Sequence, residues 1–455
     1  MENTSMYERL CFIANRIRER LWVKPLLMCV LSVAAAFLAR AADNTYLKDI
    51  APDISIDSLE TLLSIIASSM LVIATFAVGS MVTAYASASN TATPRSFALV
   101  VADDVSQNAL SAFVGAFIYS IVALIVLQNS YYDSGGRFAL FALTLFVFTV
   151  VILMFVRWVD RIARLGRMGS TIEKVEQATA SALQQFMAAP TLGCESVQPR
   201  LDNAQAVYGH TIGYVTRIDL PALQSLAEEA KVQIEIAALP GTFASPGRPL
   251  AFVSRSEMTE KDLTPDLSEV ANTFLIGRNR TFDDDPRFGL VVLSEIGSRA
   301  LSPGINDPGT AINVIGSFIR LFSLLCESNG SSEWEGSSKG KVHSVKESDQ
   351  NTASVDIKYN RLSMPNLSMD DLFDDAFGAI CRDGAGHIEV VTWILKTFES
   401  LILAGDQTMR EVAVKYAHNV LQRAEATMEF EVDRQHARSA AAFLDSPAIK
   451  VSSVE

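Results

Sequence analysis

Phe138-ALFALTLFVFTVVILMF-Val156 is apolar from end to end apart from two threonines, and this stretch decides what kind of chain carries it. A helix needs roughly 20 such residues to cross the hydrocarbon core of a bilayer. Three other stretches match it: Leu21–Leu38, Thr61–Ala84 and Leu110–Leu127. Together they predict four membrane-spanning helices in the first third of a 455-residue chain. The remainder is long enough for a separate folded part. The first stretch has a rival reading as a cleaved leader, because Ala34-Ala35-Ala36 and Ala41-Ala42 imitate a cleavage site. Trp22, with Arg16, Arg18 and Arg20 before it, reads instead as an interfacial anchor.

Charge sets the expected orientation. Arg9, Arg16, Arg18, Arg20 and Lys24 precede or open the first span, and Arg157, Arg161, Arg164 and Arg167 follow the fourth. The loop between spans one and two is mainly acidic, with Asp43, Asp49, Asp53, Asp57 and Glu60. The positive-inside rule then places both termini in the cytosol. Residues 1–167 hold 13 Lys+Arg against 12 Asp+Glu, whereas the rest hold 25 against 39. So acidic a soluble part argues against a nucleic-acid partner. The five cysteines are scattered, which fits a reducing compartment and no disulfide framework.

Within the second span, Ser64, Ser68, Thr75, Gly79 and Thr83 recur at four- and seven-residue steps and form one small, mildly polar stripe. Such a stripe serves close helix packing. The sharper, second reading is a pore lining in a homo-oligomer, where hydroxyls replace part of an ion's hydration. No Asp, Glu, Lys, Arg or His lies mid-span, which counts against proton relays and coupled transport.

Beyond a connecting helix at 168–205, residues 206–275 are expected to form a β-rich module. Gly213–Ile218, Val232–Ala237 and Leu250–Val253 alternate like strands, with a short helix at Pro221–Ala230. The spacing of Gly213, Pro240-Gly241 and Gly247-x-Pro249 resembles the barrel-sandwich hybrid of biotinyl and lipoyl carriers. A carrier needs an exposed lysine at a hairpin tip; Lys231 is the only lysine in the segment and is not so flanked. The expectation is a structural or binding module.

Residues 276–325 hold the densest constellation, GRNRTFDDDPRFGLVVLSEIGSRALSPGINDPGTAIN over 277–313. Asp285-Pro286 and Asn306-Asp307-Pro308 each read as a cap followed by proline in the first turn of a helix. Glu295 and Arg299 are spaced as an i,i+4 pair. Two capped helices explain most of these residues. Arg280, Asp284, Asp285, Glu295, Arg299, Asn306 and Asp307 remain as a candidate cluster for an inorganic ion or a small ligand. No metal centre, cofactor or catalytic set is expected, because a nucleophile–base pair, a P-loop and an HExxH are all missing from the sequence.

Residues 326–356 are Ser-, Gly- and Glu-rich and read as a flexible insertion. Helices are expected over 357–445, at Met369–Cys381, Gly386–Leu403 and Asp406–Val432 with an extension to Phe443, before a tail at 446–455. The fold class is thus a membrane α-helical part, 21–167 behind a cytosolic segment at 1–20, followed by a cytosolic α+β domain with a helical C-terminal region.

Gly79-Ser-Met-Val82, Phe113-Val-Gly-Ala-Phe-Ile118 and above all Arg299-Ala-Leu-Ser-Pro-Gly-Ile-Asn-Asp-Pro308 resemble a bacterial family of predicted membrane proteins known mainly as a domain of unknown function. The resemblance runs over almost the whole chain and implies an inner-membrane location; it supplies no activity. Two functions stand against each other on the residues. One is a homo-oligomeric ion channel or passive conduit regulated by the cytosolic part. The other is a non-enzymatic membrane-anchored sensor or scaffold binding a ligand or envelope partner.

Overall fold

The computed structural model describes residues 23–38, 52, 54–91, 93–97, 99, 104–129, 132–163, 167–197, 200, 204–255, 266–328 and 357–446. The expected N-terminal segment, most of the acidic loop after the first span, and the greater part of the insertion and tail lie outside the described residues. The chain divides after Thr171 into two compact units.

The first unit contains helices α1 (Val23–Leu38), α2 (Ile56–Thr91), α3 (Asp104–Gln128) and α4 (Ser134–Ile162). Helix α2 turns Leu59, Leu63, Ile66, Met70, Ala74, Ala77 and Met81 inward at three- and four-residue steps. These meet Ala109, Phe113, Ala116, Tyr119 and Ala123 of α3 and Leu140, Val151 and Trp158 of α4. The alanines let the backbones approach where water is not the driving force. Tyr119 Oη lies 2.9 Å from Thr144 Oγ1, a polar join between α3 and α4 inside the bundle. Gly115 of α3 faces Met28 and Ser32, so α1 packs along the small-residue side of α3.

Among the described residues, four helices are long and apolar enough to cross a membrane: Ile56–Ser87, Val105–Gln128, Ser134–Ile162 and Pro308–Cys326. Helix α1 has 16 described residues, or about 24 Å at the helical rise. Pro308–Cys326 was expected to be a helix of the soluble part, and its packing explains its hydrophobicity. Phe318 and Phe322 sit in an aromatic cluster with Phe373, Phe377 and Phe398, at ring-centroid separations of 4.8 to 5.6 Å. Arg320 pairs with Glu176 at 2.6 Å. A helix apolar on most sides is the buried centre of its unit.

Helix α5 (Met168–Ala188) straddles that division, and the second unit continues into two sheets. Strands β1 (Cys194–Ser196), β2 (Gln205–Tyr208), β4 (Gln233–Ile236), β6 (Pro249–Ser254) and β8 (Tyr359–Met364) form a five-stranded sheet in the order β1-β8-β4-β6-β2. Strands β5 (Phe243–Ala244), β3 (Gly213–Ile218) and β7 (Phe274–Gly277) form a three-stranded antiparallel sheet. Val215, Ile234, Ile236, Leu250, Val253 and Leu362 fill one core with α6 (Leu220–Glu229) and α7 (Leu267–Asn272). Gly241 and Gly247 take positive φ of 91° and 83° in the turns flanking β5, as the turn-rich sequence there requires.

Strand β8 is the main departure from expectation. It comes after the insertion, yet it lies between β1 and β4 and is parallel to both. Helices α8 (Phe288–Ala300), α9 (Pro308–Ser328), α10 (Met369–Asp383), α11 (Ile388–Ala404) and α12 (Gln407–Thr427) pack as a bundle. The long helix expected from 406 to 432 breaks instead. Met428 is extended at ψ 131° and α13 (Glu431–Ala440) starts afresh. Arg434 Nε and Nη2 donate to the Met428 carbonyl at 3.0 and 2.7 Å, replacing the helical bond that carbonyl has lost.

Candidate functional site

Two candidate sites were expected, one in each unit. In the first unit, Ser64, Ser68, Thr75, Gly79 and Thr83 all lie on the exposed face of α2. That face is opposite the Leu59–Met81 packing seam, so among the described residues the stripe takes no part in packing. A Cβ added at Gly79 would meet nothing within 4 Å. The hydroxyls fold back on their own helix: Ser68 Oγ donates to the Ser64 carbonyl at 2.9 Å, Thr75 Oγ1 to Leu71 at 2.8 Å, and Thr83 Oγ1 to Gly79 at 3.0 Å. Each donor is satisfied and each oxygen keeps lone pairs facing outward. Such a surface tolerates lipid, a neighbouring helix or a hydrated ion.

In the second unit, the expected cluster resolves into two places at opposite ends of α8. That helix has 13 residues, so its ends lie about 20 Å apart. At its start, Arg280 grips Asp285 through two parallel hydrogen bonds, Nε to Oδ2 at 2.7 Å and Nη2 to Oδ1 at 2.9 Å. Asp285 is only 2% exposed and also accepts from the backbone N–H groups of Arg287 and Phe288, both at 3.1 Å. The acid therefore caps the helix as expected, although α8 begins at Phe288. Asp284 turns away to Arg217 at 3.7 Å, and its burial raises its carboxyl above the ordinary range despite that arginine.

At the far end, Asp307 accepts from Thr310 N at 3.0 Å and from Thr310 Oγ1 at 2.6 Å, the cap of α9. Those bonds hold its carboxyl below the ordinary range. Asn306 adopts a left-handed φ of 50°, and its Oδ1 lies 3.3 Å from His387 Nε2 at the start of α11. Glu295 and Arg299 stand half-buried along α8. Arg280 and Asp285 thus serve one local structure, and Asn306 and Asp307 another.

Sequence reading missed the ties that join α8 to α10. Arg287 Nε donates to Asp375 at 2.5 Å and its Nη1 to Asp371 at 2.8 Å. Burial raises Asp375 above the ordinary carboxylate range, the Arg287 bonds offsetting only part of this. Ser298 Oγ likewise donates to Asp383. Only a run of acids spaced along one face of α10 could have hinted at these partners. No group of three His, Cys, Asp or Glu side chains fit to hold a metal occurs among the described residues. A cavity of about 60 Å³ lined by Phe186, Leu239, Asp283, Pro286 and Met364 has room for a water or two, far below the few hundred Å³ of a cofactor site.

Three uncharacterized mycobacterial proteins are similar to this chain. One of Mycobacterium bovis and one of Mycobacterium tuberculosis strain H37Rv are 25% identical over 220 residues, covering 47% of this chain and 42% of theirs. One from Mycobacterium tuberculosis strain CDC 1551 is 24% identical over the same length. The aligned part therefore spans less than half of those relatives. No solved structure gives a significant match. The family described as predicted membrane protein DUF2254 matches residues 18–400, more than four-fifths of the sequence, stopping short of α12 and α13, and the chain belongs to that family.

Proposed function

We propose that the chain is a non-enzymatic, homo-oligomeric conduit for small ions in a bacterial plasma membrane, with both termini cytosolic and α2 turned toward a shared axis. It rests on one observation: the hydroxyl and glycine stripe lies within the face of α2 that the described residues leave uncovered, alongside Leu71, Val72, Phe76 and Val82. Copies meeting there would bring Ser64, Ser68, Thr75 and Thr83 into stacked rings of outward lone pairs, a surface that can stand in for ion hydration. The net acidity of residues 168–455 supports cations as the cargo, since it raises their local concentration.

The test is ion flux in proteoliposomes containing the purified full chain. A potassium gradient should dissipate faster than in empty vesicles, and Ser68→Leu or Thr75→Leu should slow it about tenfold. Both variants should keep the thermal midpoint of the parent chain. Vesicles that hold their gradient across a range of voltage and divalent-cation concentration would end this reading.

A further inference from the structure

The three-stranded sheet β5-β3-β7 carries its own uncovered face. Tyr214 pairs in register with Phe243 on one side and Gly277 on the other, and the Tyr214 and Phe243 rings meet edge to face at 5.1 Å. Phe243 is 41% exposed, Leu275 38%, and Ile212, just before β3, 65%. Thr216 belongs to the same side, with its Cγ2 against the position a Gly277 Cβ would take. The inner side of β3 is core: Val215 is fully buried. A contiguous aromatic and aliphatic surface of this kind is seldom left in water without a use.

Its charge is the reverse of its surroundings. Residues 168–455 hold 25 basic against 39 acidic side chains. Yet this face is bordered by Arg217, by Arg278 immediately after the Tyr214 partner Gly277, and by Arg248 in the turn that follows β5, all exposed. Arg217 has Asp284 at 3.7 Å, a loose pair that leaves most of the guanidinium in solvent. Aromatic rings with flanking arginines are the composition that settles at a lipid headgroup layer, the rings at the interface and the guanidinium groups on phosphates. An acidic protein would satisfy the arginines but has no special use for an exposed isoleucine beside two aromatic rings. A chain with several apolar helices is also already held at a bilayer.

We propose that the outer face of the β5-β3-β7 sheet docks on an anionic lipid surface. This is independent of whether α2 conducts.

The probe is an environment-sensitive fluorophore on Ile212→Cys in the full chain. The labelled parent chain supplies the background from Cys11 and the half-buried Cys29, whereas Cys194, Cys326 and Cys381 are buried. The protein is placed in nanodiscs of neutral phosphatidylcholine or of a mixture rich in phosphatidylglycerol, each doped with brominated lipid. Emission should shift to the blue and be quenched in the anionic discs only. Arg217→Ala and Arg278→Ala should each lower the docked-to-free ratio about fivefold, the worth of one basic residue near an anionic surface. Phe243→Ser should abolish quenching while the arginine variants retain native elution and melting. Three results would overturn the proposal: no quenching in either disc, equal quenching in both, or a probe equally shielded in detergent, which would mark a protein interface.

Discussion

Gly241 backs directly onto the carboxylate of Asp285: a Cβ built on Gly241 would fall 2.7 Å from Asp285 Cγ. Gly241 also has φ 91°, a conformation in which a side chain is strained. The β4–β5 turn is thus fitted against the buried acid that caps α8 and binds Arg280. Gly241→Ala should cost about 2–4 kcal/mol, from left-handed backbone strain plus displacement of a buried ion pair. The thermal midpoint of the detergent-solubilised chain should fall by several degrees. Gly247→Ala is the control. It shares the positive φ of 83° but meets open space, so it should cost only the backbone strain.

Arg280 and Asp285 should respond unequally to substitution. Arg280→Leu leaves a charged carboxylate almost without solvent, held only by two backbone N–H groups. Breaking such a pair from the cation side costs about 3 kcal/mol. Asp285→Asn keeps an acceptor for Arg287 N and Phe288 N and removes the buried charge, so it should cost about half as much. Denaturant midpoints of the two variants check the order; an equal or reversed loss would count against the bidentate pair as the main tie.

These relationships divide by how far apart the partners lie along the chain. Asp307 and Thr310 are three residues apart, and a cap of that kind is a local pattern, so it was legible beforehand. Ser368, which accepts from Asp371 N to open α10, is a second cap of this local kind. Arg287 finds Asp371 and Asp375 84 and 88 residues away, and no local spacing announces such a pair. Strand β8 was hidden for the same reason: its parallel neighbours β1 and β4 come long before it in sequence. The break at Met428 carries neither glycine nor proline; it depends on the Arg434 side chain capturing one carbonyl. Helix α9 shows the converse limit. Its composition passes for a membrane span, and only the phenylalanine cluster around it accounts for that hydrophobicity.

Acid should weaken the second unit partly through Asp307. Its folded carboxyl lies below the ordinary value of 3.8 because Thr310 donates twice to the charged form. A depressed folded pKa adds stability above the unfolded value, and that stability is lost as pH falls through the folded one. The difference in midpoint between the parent chain and Asp307→Asn should therefore shrink as pH is lowered from neutrality past 3.8. At neutral pH the variant should cost about 0.3–1 kcal/mol, the worth of a negative charge at a helix N-terminus, because asparagine itself still caps. A constant difference across the titration would show that charge on Asp307 contributes nothing.

Gly79 offers the sharpest separation of folding from assembly. Its face of α2 is open in the protomer, so Gly79→Leu should leave the fold of the first unit intact, with a change within about 0.5 kcal/mol. If protomers associate through this stripe, the same leucine would hold neighbouring backbones apart, because small residues are what permit close approach in lipid. The expected outcome is an unchanged melting midpoint with a shift to smaller species by light scattering in detergent. Cysteine at Thr75 should cross-link copies in membranes, whereas cysteine at the inward-facing Ala74 should not. A Gly79→Leu chain that keeps its native mass, together with uncross-linked Thr75→Cys, would place lipid and not a sister subunit against the stripe.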